Sequence, residues 1–291
     1  MSSVWRRAWS GTSRSNCAPW TSSPGTARRR SPRRRWRAHS AMPLSDRAGE
    51  RLDRTLAAHR LVVFDLDGVL VDSNELKVEC VREALAEFGP ELVDPCVHEF
   101  RRTFGRSRRE HFLAFHQDHL GGEQATGEGF ETFYQRCAGR YAELLAERYP
   151  KAPLCPDADR LVRGLSERGL PLYVATGTLT AEAERVLDGH GLAGEFRAVL
   201  GGEEPKARRL STALAAVGAD PGEAVLLGDS RQDLLAAQAV GMGFVLVTGH
   251  GFFPPAQVLD GADGQSSLVA AGLDPGGLLI GTGAYEGPPG H

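Results

Sequence analysis

The sequence predicts an α/β protein in which a parallel sheet, covered by helices on both faces, is interrupted by an all-helical insertion. Three observations carry that expectation. Between about residues 60 and 250, short apolar runs alternate with amphipathic stretches, the pattern of a parallel sheet buried on both sides. The stretch 73–152 breaks the rhythm with helical patterns and no convincing strand. Carboxylates collect just after the apolar runs, where open parallel sheets bind their ligands.

Taken in order, the expected strands are Leu61–Asp65, Leu172–Thr176, Ala198–Gly201, Ala224–Gly228 and Phe244–Thr248, each an apolar run ending in Asp, Thr or Gly. Helices are expected between them at Asp157–Arg168, Thr180–His190, Lys206–Val217 and Arg231–Val240. The inserted block reads as helices Asn74–Phe88, Pro95–Phe104, Arg108–His119 and Phe130–Tyr149. The chain therefore divides into a core domain (58–72 and 154–250), a helical domain (73–153) and two flanks (1–43 and 251–291). No internal repeat is visible.

Both flanks read as lying outside the folded machine. Residues 1–45 hold ten Arg, no Lys and no acid, and residues 1–43 show neither helical nor strand periodicity. They are expected to be disordered, or to be upstream sequence with translation starting at Met42. A nucleic-acid patch or an organelle transit segment are the competing readings. From about Pro254 the chain is rich in Gly and Pro and is expected to form a loose tail.

The composition narrows the function classes. With 291 residues, 41% hydrophobic, the chain is long enough for one or two domains with a sizeable core. No apolar run reaches the length of a membrane span. Setting aside the ten leader charges turns the overall −3 into −13 over residues 46–291, which argues against nucleic acid as a partner. The five cysteines are scattered and form no Cys-x-x-Cys pair, so a reducing, cytoplasmic setting is expected. The nine histidines show no metal-ligand spacing, and His111, His116 and His119 are expected at the surface.

The residues just after each apolar run carry the chemistry. The first run leads into Asp65-Leu66-Asp67-Gly68-Val69, the second into Thr176-Gly177-Thr178, and the fourth into Asp229 and then Asp233. Lys206 lies shortly after the third. Asp65 and Asp229 at neighbouring strand ends crowd like charges, which is costly unless a cation neutralises them, and hard carboxylate oxygens suit Mg²⁺. A carboxylate can attack phosphorus and split hydrolysis into two steps through an aspartyl-phosphate. Asp67 is placed to protonate the leaving oxygen and then to activate water. Gly68 permits a sharp turn, while Thr176 and Lys206 are donors suited to a transferring phosphoryl group. Lysine is rare here: only Lys77, Lys151 and Lys206 occur against thirty-one arginines, so a compact ammonium in that place stands out. Asp72 reads as a cap for the helix near Asn74, and Thr180 as a helix N-cap.

In this order and spacing, the four motifs resemble the haloacid dehalogenase superfamily, specifically its helical-cap branch of phosphoglycolate phosphatases and β-phosphoglucomutases. The resemblance covers about residues 60–250 and implies a Rossmann-like core with a cap. It implies Asp65 as nucleophile, Asp67 as general acid/base, Thr176, Gly177 and Lys206 as phosphate binders, and Mg²⁺ held by Asp65, Asp229 and the backbone carbonyl of Asp67. Asp233 would orient Lys206 or a metal-bound water.

Within that superfamily, the acid at Asp67 disfavours dehalogenation, because no leaving alkoxide needs a proton there. Schiff-base phosphonate hydrolysis needs a cap lysine, and only Lys77 and Lys151, near the ends of the insertion, offer one. The mutase pattern has a His where this chain has Leu76-Lys77, which disfavours isomerisation. The loop Phe104-Gly105-Arg106-Ser107-Arg108 nevertheless resembles the mutase cap loop, with Arg108 in the phosphate-gripping place. Arg101, Arg102, Arg106, Arg108 and Arg109 put five guanidiniums near the expected cleft, of which one or two are expected to reach a substrate anion. The expectation is a phosphomonoester phosphatase acting on a small phosphorylated metabolite, as a monomer or homodimer. The alternatives are a sugar-phosphate mutase and a non-catalytic binding module.

Overall fold

The structure is a computed structural model that describes residues 44–260 and 267–281. These belong to the compact unit Ser40–His291. The leader expected at residues 1–43, including Met42, lies outside the described residues.

In chain order the elements are α1 (Leu52–Ala57), β1 (Leu61–Phe64), α2 (Asn74–Ala84), α3 (Pro90–Arg102), α4 (Arg108–Ala114), α5 (Gly122–Thr126) and α6 (Phe130–Arg148). Next are α7 (Ala158–Glu167), β2 (Leu172–Ala175), α8 (Thr180–Gly189), β3 (Ala198–Leu200), α9 (Lys206–Val217), β4 (Ala224–Gly228) and α10 (Arg231–Val240). The chain continues with β5 (Gly243–Val247), α11 (Pro255–Val258), β6 (Ser267–Ala270) and β7 (Ile280–Gly281). All five expected strands form, and four core helices start or end within a residue of the expected positions.

The sheet order is β3-β2-β1-β4-β5-β6-β7. All neighbours run parallel except β6 and β7. Every residue of β1, β2 and β4 is buried, and the reason is visible in β1. Val62 and Phe64 pack into one hydrophobic cluster while Leu61 and Val63 pack into a second, on the other face. Strands covered on both sides are therefore continuous apolar runs rather than alternating ones. Their C-terminal ends share one edge, which places Asp65, Thr176 and Asp229 side by side.

Residues 74–151 form the helical insertion between β1 and β2. Helix α3 begins at Pro90, five residues before its expected start, and runs through Pro95 at the cost of a backbone bond. Burial of Val93, Cys96, Val97 and Phe100 along one face sustains it. Helix α4 opens on a reciprocal Ser107/Glu110 capping box and continues as a π turn over Phe115–His119. Of the three histidines expected at the surface, His111 and His119 are half-buried and His116 is not at the surface. His116 is buried with its ring nitrogen 2.9 Å from the Glu128 carbonyl, and His111 packs on Phe100 at 4.3 Å between ring centroids. An amphipathic helix carries a few polar groups into its packed face, and their positions there are indistinguishable in sequence from exposed ones.

The expected loose tail is corrected over its described part. Ser267–Ala270 extends the parallel sheet beside β5, with all four residues buried, and Ile280 returns antiparallel against Val269. The same segment holds residues before β1: Gly49 donates to the Leu279 carbonyl at 2.7 Å and Leu52 to that of Gly277 at 2.8 Å. The run is as long as β1 but is set among Gly and Asp on both sides, turn residues that mask a short strand, although sheet pairing requires no more. Residues 261–266 and 282–291 lie outside the described residues. Among the described residues no helix is long and apolar enough to cross a membrane, and Cys80, Cys96, Cys137 and Cys155 are free and buried.

Candidate active site

Asp65 continues the ladder past the end of β1, its backbone N–H donating to the Leu227 carbonyl at 2.8 Å. The chain then turns sharply, closed by Gly68 N–H to Val71 carbonyl at 2.8 Å, with Gly68 at φ +75°. Only glycine fits there. A Cβ would stand 2.1 Å from Asp229 Oδ2 and 2.4 Å from Asn74 Nδ2. The turn thus lets the first strand end pack directly against the fourth, and Asn74 donates to Asp229 at 2.8 Å. Asp233 is aimed at the same edge by its place in α10, where Ser230 and Asp233 cap each other reciprocally.

Asp65, Asp229 and Asp233 each offer a carboxylate oxygen within 4.8 Å of the others, and all three are buried. One ammonium, Lys206 Nζ, sits among them, 2.9 Å from Asp65 Oδ1 and ion-paired with Asp233. One positive charge does not balance three negative ones. Burial, followed by the charges of Asp233 and Asp67, outweighs Lys206 and pushes the Asp65 carboxyl up to about 7. Burial, with Asp233 and Asp65, likewise raises Asp229 well above the usual carboxylate range. Asp229 Oδ1 is buried without a hydrogen-bond partner, and Asp65 Oδ1 makes no well-aligned hydrogen bond despite its closeness to Lys206. An oxygen-lined, over-negative cluster with unsatisfied acceptors fits a hard divalent cation.

This cluster makes its own pH-dependent contribution to stability. With the Asp65 and Asp229 carboxyls raised in the fold, the folded state binds more protons than the unfolded chain between about pH 4 and pH 7, so stability falls as pH rises through that window. Burial of His59 and His111 disfavours their charged forms and works the other way over the same window. The cluster is therefore isolated by comparison with Asp65→Asn: the metal-free wild type is expected to lose melting temperature relative to that variant between pH 5.5 and pH 8. Added Mg²⁺ is expected to raise the midpoint more at pH 8, because a bound cation removes the repulsion. Thermal unfolding of both proteins at the two pH values, with and without the ion, checks both statements. A wild-type midpoint that holds or gains on the variant's as pH rises in chelator contradicts the first, and an equal or smaller Mg²⁺ shift at pH 8 contradicts the second.

Asp67 has the opposite environment. Its Oδ1 accepts from Ser73 Oγ and from Tyr149 OH, both at 2.6 Å, and its Oδ2 accepts from Thr178 Oγ1 at 2.8 Å. Thr176 Oγ1 lies 3.4 Å from Oδ2, which also takes the Lys77 ammonium. Burial alone would raise this carboxyl, but Lys77 and the hydrogen bonds from Lys77, Ser73 and Tyr149 hold it below its ordinary value. Lys77 also reaches Thr178 Oγ1 and lies over the Tyr149 ring.

Lys77, weighed in the sequence only as a Schiff-base lysine, and Tyr149 are the principal partners of Asp67 that sequence reasoning missed. The scarcity of lysine, which singles out Lys206, applies equally to Lys77; Tyr149 carried no comparable signal, being 82 residues from its partner. Arg209 was also missed. It is buried one turn after Lys206 and donates to the Thr176 carbonyl, holding the loop that follows β2.

The remaining expected residues meet at a cleft between the helical insertion and the sheet edge. Thr176 is fully buried, its Oγ1 accepting from Thr178 N–H at 3.1 Å. Gly177 faces the insertion, where a Cβ would stand 3.0 Å from the Arg106 carbonyl and 3.1 Å from that of Gly105. Of the five guanidiniums, Arg101, Arg102 and Arg109 form exposed pairs with Glu75, Glu99 and Glu131. Arg108 alone among the five is mostly buried against the cleft, stacked over Tyr141 and paired with Glu182 of α8.

Two smaller readings are corrected. Asp72 caps no helix and instead lies 3.1 Å from His250 Nδ1, since the chain is still turning at Ser73, the residue before α2. Thr180 is the first helical residue of α8 rather than its cap, its N–H and hydroxyl both bonded to Glu203 at 2.9 Å.

A parallel sheet that gathers three carboxylates and a lysine at one edge, under a helical insertion after its first strand, defines a hydrolase class, and the comparisons agree. Residues 59–241 match the haloacid dehalogenase-like hydrolase family model, and the chain belongs to that family. It is 33% identical over 196 residues to a phosphoglycolate phosphatase of Caulobacter vibrioides, covering 64% of this chain and 78% of that one. It is 31% identical over 198 residues to phosphoglycolate phosphatase 1 of Pseudomonas aeruginosa, covering 65% and 69%. A haloacid dehalogenase-like hydrolase of Streptococcus pneumoniae shares the fold, with a TM-score of 0.58 at 23% identity over 75% of this chain and 95% of that one.

Proposed function

We propose that this protein is a Mg²⁺-dependent phosphomonoester phosphatase that acts on a small phosphorylated metabolite through an aspartyl-phosphate on Asp65. The observation that carries the reading is the contrast between two carboxylates two residues apart. Asp65 stands at the strand end beside Lys206 with an oxygen free of well-aligned hydrogen bonds. Asp67 is gripped by five donors from four parts of the chain. One group is placed to attack and the other to handle protons. The names of the two curated relatives support the same reaction class.

In the first step an Asp65 oxygen bonds to phosphorus and the ester P–O bond breaks; Asp67, held ionised in the free protein by Lys77 and its hydrogen bonds, takes the proton of the incoming monoprotonated phosphoester and passes it to the leaving oxygen. In the second, Asp67 takes a proton from a water that attacks the aspartyl-phosphate, releasing phosphate and restoring the Asp65 carboxylate. Lys77 supports the ionised form of Asp67 that the second step needs. Lys206 and Thr176 provide donors to the phosphoryl oxygens, and Arg209 keeps the Thr176 loop in place. Asp65, Asp229 and the Asp67 main-chain carbonyl would hold Mg²⁺, with Asp233 orienting Lys206; the ion would neutralise charge on the phosphoryl group. The insertion, resting on Gly177, would exclude bulk water from transfer.

Phosphate release from a panel of small esters is the test. The expected result is turnover of at least one ester with Mg²⁺ and a loss of at least about tenfold in chelator. No release from any ester, with the protein folded and Mg²⁺ present, overturns the reading.

A further inference from the structure

Resting on the phosphatase reading, we propose that Glu182 is a specificity-determining residue which, by neutralising Arg108, selects phosphate esters whose leaving group is uncharged and hydroxyl-bearing, such as a sugar or polyol, over those carrying a carboxylate or a second phosphate. The case begins with the cations that face the cleft. Lys77 is committed to Asp67 and Thr178. Arg106 is exposed at the rim. Arg108 is the cation best placed to grip a leaving group, with only 10% of its side chain exposed, but the Glu182 carboxylate, 15% exposed, already engages its Nη2.

Arg108 Nε is buried with no hydrogen-bond partner, and the Tyr141 ring covers the guanidinium at 4.8 Å. Nε is sealed from the cleft, so only the small exposed part of the guanidinium meets a ligand, and no net charge stands behind it. An anionic leaving group would meet the field of Glu182 in a poorly hydrated place, where like charges are costly. An uncharged hydroxyl-bearing group meets no such penalty. Phe100, Phe104, Phe112 and Leu145 line the rest of the cleft and suit the C–H faces of a polyol better than an ionised group. Glu182 sits on the core helix α8 and Arg108 on the insertion, so the pair forms across the two sides of the cleft.

The test compares kcat/KM for a hexose 6-phosphate, glycerol phosphate, phosphoglycolate and a sugar bisphosphate in wild type, Glu182→Gln and Glu182→Asp, with Mg²⁺ present. Wild type is expected to favour the neutral-leaving-group esters at least about tenfold. Glu182→Gln is expected to shift the ratio of phosphoglycolate to hexose phosphate at least about tenfold toward the acid, with Glu182→Asp restoring the wild-type ratio. A merely structural role would lower all four rates together and leave the ratios unchanged. Should Glu182→Gln fail to fold, the wild-type and Glu182→Asp preferences decide. Phosphate release with phosphoglycolate or the bisphosphate preferred by wild type overturns this inference alone, and so does an unmoved ratio in folded Glu182→Gln. Absence of release from every ester overturns the phosphatase reading and the inference with it.

Discussion

Replacing Asp65 with Asn is expected to reduce phosphate release from any accepted ester by roughly 10³-fold or more, while raising the melting temperature of the metal-free protein at pH 8. The two effects have one origin. Asn keeps the shape of the side chain but lacks the nucleophilic oxygen, so no acyl-phosphate bond can form. It also removes one of three negative charges crowded around Lys206, which remains paired with Asp233. Because burial and those neighbours push the Asp65 carboxyl up to about 7, the charge that Asn deletes opposes folding at pH 8 and is largely absent at pH 5.5. The stabilisation is therefore expected to shrink as pH falls. Phosphate assays and thermal unfolding on the same preparation check both halves. Activity close to wild type would end the aspartyl-phosphate mechanism; a lower melting temperature at pH 8 would end the charge-crowding account.

Lys206→Met is expected to have the largest effect on stability, a loss of about 3–5 kcal/mol at pH 8. The ammonium is 6% exposed and bridges Asp65 and Asp233, which are 5% and 0% exposed. Burial disfavours its charge, yet the two carboxylates more than compensate and keep it protonated. Its removal leaves three buried carboxylates with no ammonium among them. The raised Asp65 and Asp229 carboxyls neutralise by taking up protons as pH falls, so the deficit should narrow at pH 5.5. Urea unfolding at both pH values measures it, and equal stability of variant and wild type at pH 8 would show that the cluster is solvated. Phosphate release is expected to fall as well, with Lys206→Arg a poor substitute because a planar fork does not fill the place of a compact ammonium.

Much of the site could be read from strand endings. Asp65, Thr176 and Asp229 each follow a short apolar run, and a parallel sheet necessarily delivers such positions to one edge. Lys206 opens α9 and Asp233 lies one turn into α10, so helix register brings them to the same place. Lys77 behaves differently. It lies in a helix whose two neighbouring charged residues, Glu75 and Glu79, are exposed, and periodicity does not tell which turn of an inserted helix crosses the active-site edge. Tyr149 reaches Asp67 only because the last insertion helix returns to the sheet beside the point where the first one leaves. For Arg108 the sequence pattern suggested the cleft, and the structure adds that Glu182, 74 residues later, has taken its charge.

By itself the sequence determined the parallel α/β core, the helical insertion and the acids and lysine at the sheet edge, because burial on both faces and the chemistry of strand ends leave a local imprint. Tertiary structure decided which polar groups are paired. It committed Lys77 to Asp67 and Arg108 to Glu182, and it drew Ser267–Ala270 into the sheet. Those outcomes depend on distances between segments far apart in the chain, where the electrostatic and hydrogen-bonding energies are set by geometry that no local pattern encodes.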